Sequence, residues 1–350
     1  MEGVIELSVT IKDVAKLANV APSTVSRVIA DSPRISQKTK ERVREAMKQL
    51  GYHPNLIARS LASQSTQAIG LVMPSSTDTF FQNPFFPSVL RGISEGAHQK
   101  HYALYMVTGK TEQEIFHDIV QMVQGSRVDG AILLYSKIED KIVDYLKENQ
   151  FPFVVIGKPH KDTEEITHVD NDNVRAAKDG TKYLLSLGHE RIGFVGGNPH
   201  LVVTIERMQG YKKALEEAGL VVRQEYIIHG QFLIEGGQVA VEELMSLKEP
   251  PTALLVADDL MSLGVINKLN TMGIEVPNDI SIVSFNNVLL AQVSNPPLTS
   301  IDINIFDLGF EAAKNLILKI ENPKEPVKRI IIPHELVIRD SCAPFKSNDA

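Results

Sequence analysis

The sequence predicts an α/β chain in which a small helical module precedes a large two-lobed body built on parallel sheets. Three observations predict it. Apolar residues recur at helical spacing as far as Gly51, and beyond Gln67 short apolar runs alternate with amphipathic stretches. The charge also changes sign between the two regions. Residues 1–66 hold ten Lys/Arg against six Asp/Glu, a balance of +4, whereas the whole 350-residue chain is -7, leaving -11 for the remainder. A basic module on an acidic body points to a polyanionic partner for the module alone, although charge by itself fits a solvated helical surface equally well.

Thr10-Ile11-Lys12-Asp13 has the capping-box form, and Ile11, Val14, Ala15 and Ala18 then mark one face of a first helix. The pattern breaks at Asn19-Val20-Ala21. Pro22 suits the first turn of a second helix, which turns Val25, Val28 and Ile29 inward and Ser23, Thr24, Ser26 and Arg27 outward. That helix stops before Asp31-Ser32-Pro33. A third is expected from about Ser36 to Leu50, burying Val43, Ala46, Met47 and Leu50, with Gly51 as its C-cap. Two short helices joined by a tight turn and braced by a third make a helix-turn-helix unit. Small polar residues and one arginine on the second helix suit the major groove of DNA, where Arg27 can take guanine O6 and N7 together. A three-helix bundle that binds protein is the alternative, and the basic balance favours DNA.

Asn55 is a good N-cap for Leu56–Ala62, but two turns of helix are marginal alone in water. Polar residues Ser63–Gln67 read as a linker. A helix that folds only when held by DNA and a partner chain fits this segment, with Leu61 as an apolar wedge between base steps. An ordinary linker with helical tendency fits the spacing as well.

In the body, apolar runs at Ala68–Met73, Ala131–Tyr135, Phe153–Ile156, Ile192–Val195, Ala253–Ala257 and Ile280–Phe285 read as strands. Between them, Val89–Gln99, Glu112–Val123, Asn173–Leu187, Gln209–Ala218, Gly237–Leu247 and Met261–Met272 read as helices. This is more chain than one six-stranded sheet needs, so two lobes are expected. Phe306–Ile320 is a further helix that serves the body or a dimer interface.

Ligands of open α/β sheets bind beyond the carboxyl ends of the strands. The residues there are Phe80–Phe86, with four of the chain's 13 Phe, then Tyr135-Ser136, Asp170-Asn171, Asp258-Asp259 and Phe285-Asn286-Asn287. Arg207 is expected just ahead of a helix beginning near Gln209. Carboxylates, amides and an arginine exchange paired hydrogen bonds with vicinal hydroxyls, and aromatic faces stack on a sugar ring. A neutral polyhydroxylated ligand fits best, since phosphate would favour an Arg/Lys cluster or a glycine-rich helix start. Singly, each has a plainer role: Asp258 and Asp259 can cap a helix, and Asn286-Asn287 can make a turn. The candidate effector residues are Phe86, Tyr135, Asp170, Asn171, Arg207, Asp258, Phe285 and Asn286.

Thr10–Ala15, Val20–Val28, Gly51–Asn55 and Ala58–Leu61 together resemble the lactose/galactose repressor family of bacterial transcription regulators. Within it, the Phe-rich loop and the Phe285-Asn286-Asn287 turn look most like maltose-operon repressors. The resemblance implies that Ser23, Thr24, Ser26 and Arg27 read bases, that Thr10, Arg34, Ser36, Thr39, Tyr52 and Asn55 hold phosphates, and that Leu61 is the minor-groove wedge. It implies a helix-turn-helix domain over 1–54, a hinge helix and linker over 55–66, and a periplasmic-binding-protein-like effector and dimerisation domain over 67–350. Lobe 1 would comprise about 67–168 and 304–331, and lobe 2 about 169–303 and 332–343, with crossings near His168, Asn304 and Ile332. Arg207 matches the family's effector-binding arginine, Asp258 stands where several relatives carry Asn, and Asn286 replaces the more usual Asp. The implied effector is maltose or a related maltodextrin, acting on a homodimer at a pseudo-palindromic operator.

Other classes lose ground. There is no phosphate loop, no dinucleotide fingerprint and no His-Glu-x-x-His, and the single cysteine, Cys342, has no evident catalytic partner. His189 reads as structural. Neither an enzyme nor a cofactor is expected, and a sugar-transport binding protein would share the body but not the module. One cysteine, an opening segment without a basic signal region and the lack of a long apolar run fit a cytoplasmic protein. A regulator whose DNA binding is promoted by a phosphorylated carrier-protein corepressor remains the alternative within regulation.

Overall fold

The structure, a computed structural model, describes residues 9–29, 32–52, 65–73, 81–107 and 109–346. Asn55, Leu61 and the short helix expected around them lie outside these residues, as does Phe80. The chain divides between Thr66 and Gln67 into two compact units.

The first unit holds α1 (Ile11–Leu17), α2 (Pro22–Ile29) and α3 (Gln37–Leu50). The Asp13 carboxylate accepts both the Thr10 amide at 2.8 Å and the Thr10 hydroxyl at 2.7 Å, fixing the start of α1. Ser36 caps α3 by accepting the Thr39 amide at 3.4 Å, and Gly51 ends it in the left-handed region at φ 60°. Val14, Ala15, Ala18, Val25, Val28, Val43 and Ala46 form its buried core, with Ile29, Met47, Leu50 and Tyr52 packed at the margin.

The second unit contains two six-stranded sheets. The first is built from β1 (Ala68–Val72), β2 (Ala103–Val107), β3 (Gly130–Leu133), β4 (Phe153–Ile156), β5 (His168–Asn171) and β11 (Arg329–Ile332). Its order is β11-β5-β4-β3-β1-β2, parallel throughout. The second is built from β6 (Ile192–Gly196), β7 (Ile227–His229), β8 (Ala253–Val256), β9 (Ser281–Phe285), β10 (Thr299–Asp302) and β12 (Glu335–Val337). Its order is β12-β10-β9-β8-β6-β7, with β12 alone antiparallel. Central strands such as β3, β4, β8 and β9 are buried along their whole length, as strands covered on both faces must be.

Helices α4 (Phe85–Gln99) and α12 (Ile305–Glu321) pack together on the first lobe, and α7 (Asn173–Ser186) and α8 (Val202–Glu217) on the second. Glycine lets both pairs approach closely: a Cβ at Gly92 would lie 2.0 Å from the Phe306 carbonyl, and one at Gly210 only 2.1 Å from that of Val174. The first lobe also carries α5 (Glu112–Gln124) and α6 (Lys141–Glu148); the second carries α9 (Ile234–Met245), α10 (Asp259–Thr271) and α11 (Leu289–Val293).

The chain passes between the lobes three times, after β5, between β10 and α12, and between β11 and β12. The first passage follows Asn171 rather than His168, because β5 pairs with β4 and β11 and so belongs to the first sheet. Four helices begin earlier than apolar spacing suggests. The first turns of α4 and α8 put Phe85, Phe86 and Val203 on the wall of the space between the lobes, so they do not follow the core-facing period. Arg207 therefore lies within α8 and not ahead of it.

Candidate functional site

In the first unit, α2 presents Ser23, Ser26 and Arg27 as exposed side chains, with Thr24 half-buried beside them. Val25 and Val28, on the opposite face, hold the helix to the core. Thr10, Arg34 and Ser36 are exposed and Thr39 half-buried; the Ser36 and Thr39 hydroxyls lie 2.9 Å apart at the start of α3. A helix start carrying two hydroxyls suits a phosphate oxygen. Tyr52 is half-buried against the core, which fixes its ring.

In the second unit, a cavity of about 400 Å³ lies between the lobes at the carboxyl ends of both sheets, a size suited to a small molecule. Phe86, Tyr135, Asp170, Asn171, Arg207, Asp258 and Asn286 all line it. Phe285 does not. It is fully buried, and the Arg207 guanidinium lies over its ring at 4.0 Å. Phe285 ends β9 with its side chain in the core, so it supports the arginine from beneath and does not form the wall.

Arg207 is 5% exposed. Its Nε donates to Asn173 Oδ1 at 3.1 Å and its Nη1 to the Ala257 carbonyl at 2.6 Å. Nη2 has no partner among the described residues, which leaves a charged donor for a ligand. Burial pulls the guanidinium down to about 10, opposed by Asp258 and Asp170. Asn173 relays the arrangement by donating to Asp170 Oδ1 at 3.0 Å. Burial pushes Asp170 up to about 7, with Glu206 adding to the rise.

Asp258 does two jobs. Its Oδ1 caps α10 by accepting the amides of Leu260 (2.8 Å) and Met261 (3.2 Å). Its Oδ2 accepts Asn286 Nδ2 at 2.8 Å and, from the other lobe, Asn83 Nδ2 at 3.0 Å. Burial raises this carboxyl to about 6, and the Asn83 hydrogen bond opposes the rise. Asn286 itself sits at φ 101°, a conformation that favours Gly or Asn. Asp259 faces away from the cavity and pins the following loop, accepting the Val288 amide at 2.9 Å and the Ser300 hydroxyl at 2.8 Å.

The Phe-rich loop expected at the wall supplies Asn83, Phe85 and Phe86, with the two rings edge-to-face at 5.2 Å. Sequence reasoning missed Phe232, Lys158, Glu206 and Asn173 among the lining residues. Lys158 and Glu206 meet across the lobes at 3.0 Å. The lobes also touch through backbone: Val202 donates to the Ser136 carbonyl and Ile138 to that of His200, both at 3.0 Å. Glu206 and Asn173 were readable as neighbours of Arg207 and of Asp170-Asn171. Lys158 and Phe232 carry no local signal, because Glu206 and Asn83, their partners, lie 48 and 149 residues away.

His189 is a structural clasp, its ring nitrogens meeting the hydroxyls of Thr252 and Ser281 and the Ala343 carbonyl at 3.0–3.1 Å.

Comparison with known proteins matches both units. The family of bacterial regulatory proteins, lacI family, matches residues 10–55, and the periplasmic binding protein-like domain matches residues 181–342. The HTH-type transcriptional regulator MalR of Streptococcus pneumoniae (serotype 4 strain) is 44% identical over 338 residues, spanning 95% of this chain and 99% of that protein. A solved transcriptional regulator CelR–cellobiose complex gives a TM-score of 0.75 at 30% identity, covering 95% of this chain and 99% of the other. The lac repressor dimer bound to operator and the anti-inducer ONPF gives 0.82 at 25% identity, covering 96% and 99%. Among the described residues, no helix is long and apolar enough to cross a membrane.

Proposed function

Since this chain belongs to the lacI family of bacterial regulatory proteins, we propose that a small sugar, maltose or a related maltodextrin, releases it from a pseudo-palindromic operator. The chain is a DNA-binding transcriptional repressor of that family and not an enzyme. The observation that carries the sugar reading is the wall chemistry of the cavity. Aromatic rings of Phe85, Phe86 and Phe232 stand beside a carboxylate, an amide and a guanidinium, the combination that stacks on a sugar ring and pairs with its hydroxyls. The MalR and CelR–cellobiose relatives support the same reading.

In this reading two copies place their α2 helices in successive major grooves, with Ser23, Thr24, Ser26 and Arg27 at the base edges. Thr10, Arg34, Ser36, Thr39, Tyr52 and Asn55 hold phosphates, and Leu61 wedges the central step. Sugar in the cleft shifts the lobes and uncouples the hinge segments. Isothermal titration of the full chain with maltose tests the reading, with maltotriose and cellobiose alongside. Binding at micromolar to low-millimolar concentration is expected; no heat from any of the three sugars would reject it.

A further inference from the structure

We propose that Glu206 is a specificity determinant that keeps phosphorylated sugars out of the cleft, by neutralising Lys158 and adding a carboxylate to the wall. The inference rests on the sugar-effector reading and goes on to specify the charge of the ligand.

Among the described residues two cations line the cavity, Lys158 and Arg207, and each already has partners of its own. The Lys158 ammonium lies 3.0 Å from Glu206 Oε1. Arg207 is held by Asn173, the Ala257 carbonyl and the face of Phe285, with one nitrogen left for a ligand. Against them stand three carboxylates, Asp170, Glu206 and Asp258, each no more than 8% exposed. Once Asp170 is ionised, above about pH 7, a phosphate dianion would meet more negative charge than positive at this wall, and buried charges are screened less than exposed ones.

Helix starts are the other common phosphate site, and most of those at the cavity are already capped. Among the described residues five helices begin there; α12, whose Leu308 lines the wall, has no side-chain cap, and the other four are capped. Asn83 Oδ1 accepts the first amide of α4 (Phe85) at 2.9 Å, and Asp172 accepts that of Arg175 in α7 at 2.9 Å. Asp258 accepts two amides of α10, and the Ser136 carbonyl accepts the first amide of α8 (Val202) at 3.0 Å. Three of the four caps are side chains of this chain, two of them carboxylates.

Glu206 is the member whose removal changes the balance most. Its side chain is only 11% exposed while that of Lys158 is 52% exposed, so Lys158 can turn toward a ligand once the carboxylate is gone. Glu206→Gln thus deletes one negative charge and releases one positive charge at the same spot.

The test is isothermal titration of the full chain with maltose and with maltose 6′-phosphate, read as the ratio of the two affinities. Wild type is expected to favour maltose at least 100-fold, about 2.7 kcal/mol. E206Q should lower that ratio at least tenfold, and adding Lys158→Ala should reverse most of the change. If E206Q does not fold by circular dichroism, Glu206→Ala, which leaves no buried polar group to satisfy, is read in the same way. A wild-type ratio near one, or a ratio unchanged in the Glu206 variants, overturns the proposal while the sugar reading stands. If wild type binds neither sugar, both fall together.

Discussion

The side-chain amide of Asn171 donates to the Ile332 carbonyl at 2.9 Å, tying the end of β5 to the end of β11. The same nitrogen reaches the Ile303 carbonyl, also at 2.9 Å. One buried side chain therefore joins all three passages between the lobes. Asn171 lines the cavity, but both its amide hydrogens are used by the hinge, so its main part is to position the crossovers.

Asn171→Ala leaves two buried carbonyls without these partners, and each such loss costs about 1–3 kcal/mol. Urea unfolding should show a loss of about 2–6 kcal/mol. Two carbonyls that find other partners would leave the loss near zero.

Asp170 ionises at about 7 in the folded chain against 3.8 for an unperturbed carboxyl, because burial and Glu206 disfavour its charge. The sign follows from linkage: the folded state holds the proton more tightly, so ionisation destabilises it as pH rises from about 3.8 to about 7. Asp170→Asn keeps an acceptor for Asn173 without the charge. The variant should be more stable than wild type at pH 8, with the gain shrinking toward pH 4. A pH-independent difference would mean that the Asp170 charge carries no such cost.

Phe285 lies outside the cavity yet supports Arg207 at 4.0 Å. Phe285→Leu keeps the site apolar but loses the ring face, worth roughly 1 kcal/mol. Sugar affinity should fall about fivefold in titration calorimetry. An unchanged affinity would show that the hydrogen bonds to Asn173 and Ala257 position the arginine alone.

In the first unit, Arg27 and Arg34 are both exposed but play different parts. Arg27→Ala should relax selectivity at one base pair by about 1–3 kcal/mol, whereas Arg34→Ala should weaken binding to all sequences and lower the salt slope by about 1. Binding isotherms on operator and scrambled duplexes over a salt series separate the two.

Much of the fold was legible because its signals are local. The three N-terminal helices show their caps and apolar spacing, and the central strands show continuous apolar runs. Edge strands were not legible: β2 is mostly exposed with only Val107 buried, and β11 and β12 are short and partly exposed. In the cleft, strand-end residues such as Asp170, Asp258 and Asn286 could be read from their placement beyond the carboxyl ends of the strands. Phe285 was misread because a sequence shows which loop follows a strand, but not which face the last strand residue turns to. Asn83 was legible as part of the Phe-rich loop but its tie to Asp258, 175 residues away, was not, and Lys158 could not be read, since its partner lies 48 residues away.

Fluorescence anisotropy of the full chain on its operator, with and without saturating maltose, tests the central claim most directly. Coupling of about 2–3 kcal/mol between cleft and operator predicts a 30- to 150-fold loss of DNA affinity on adding maltose, and little loss in an Arg207→Ala variant. Maltose that binds the cleft while operator affinity stays the same would contradict it.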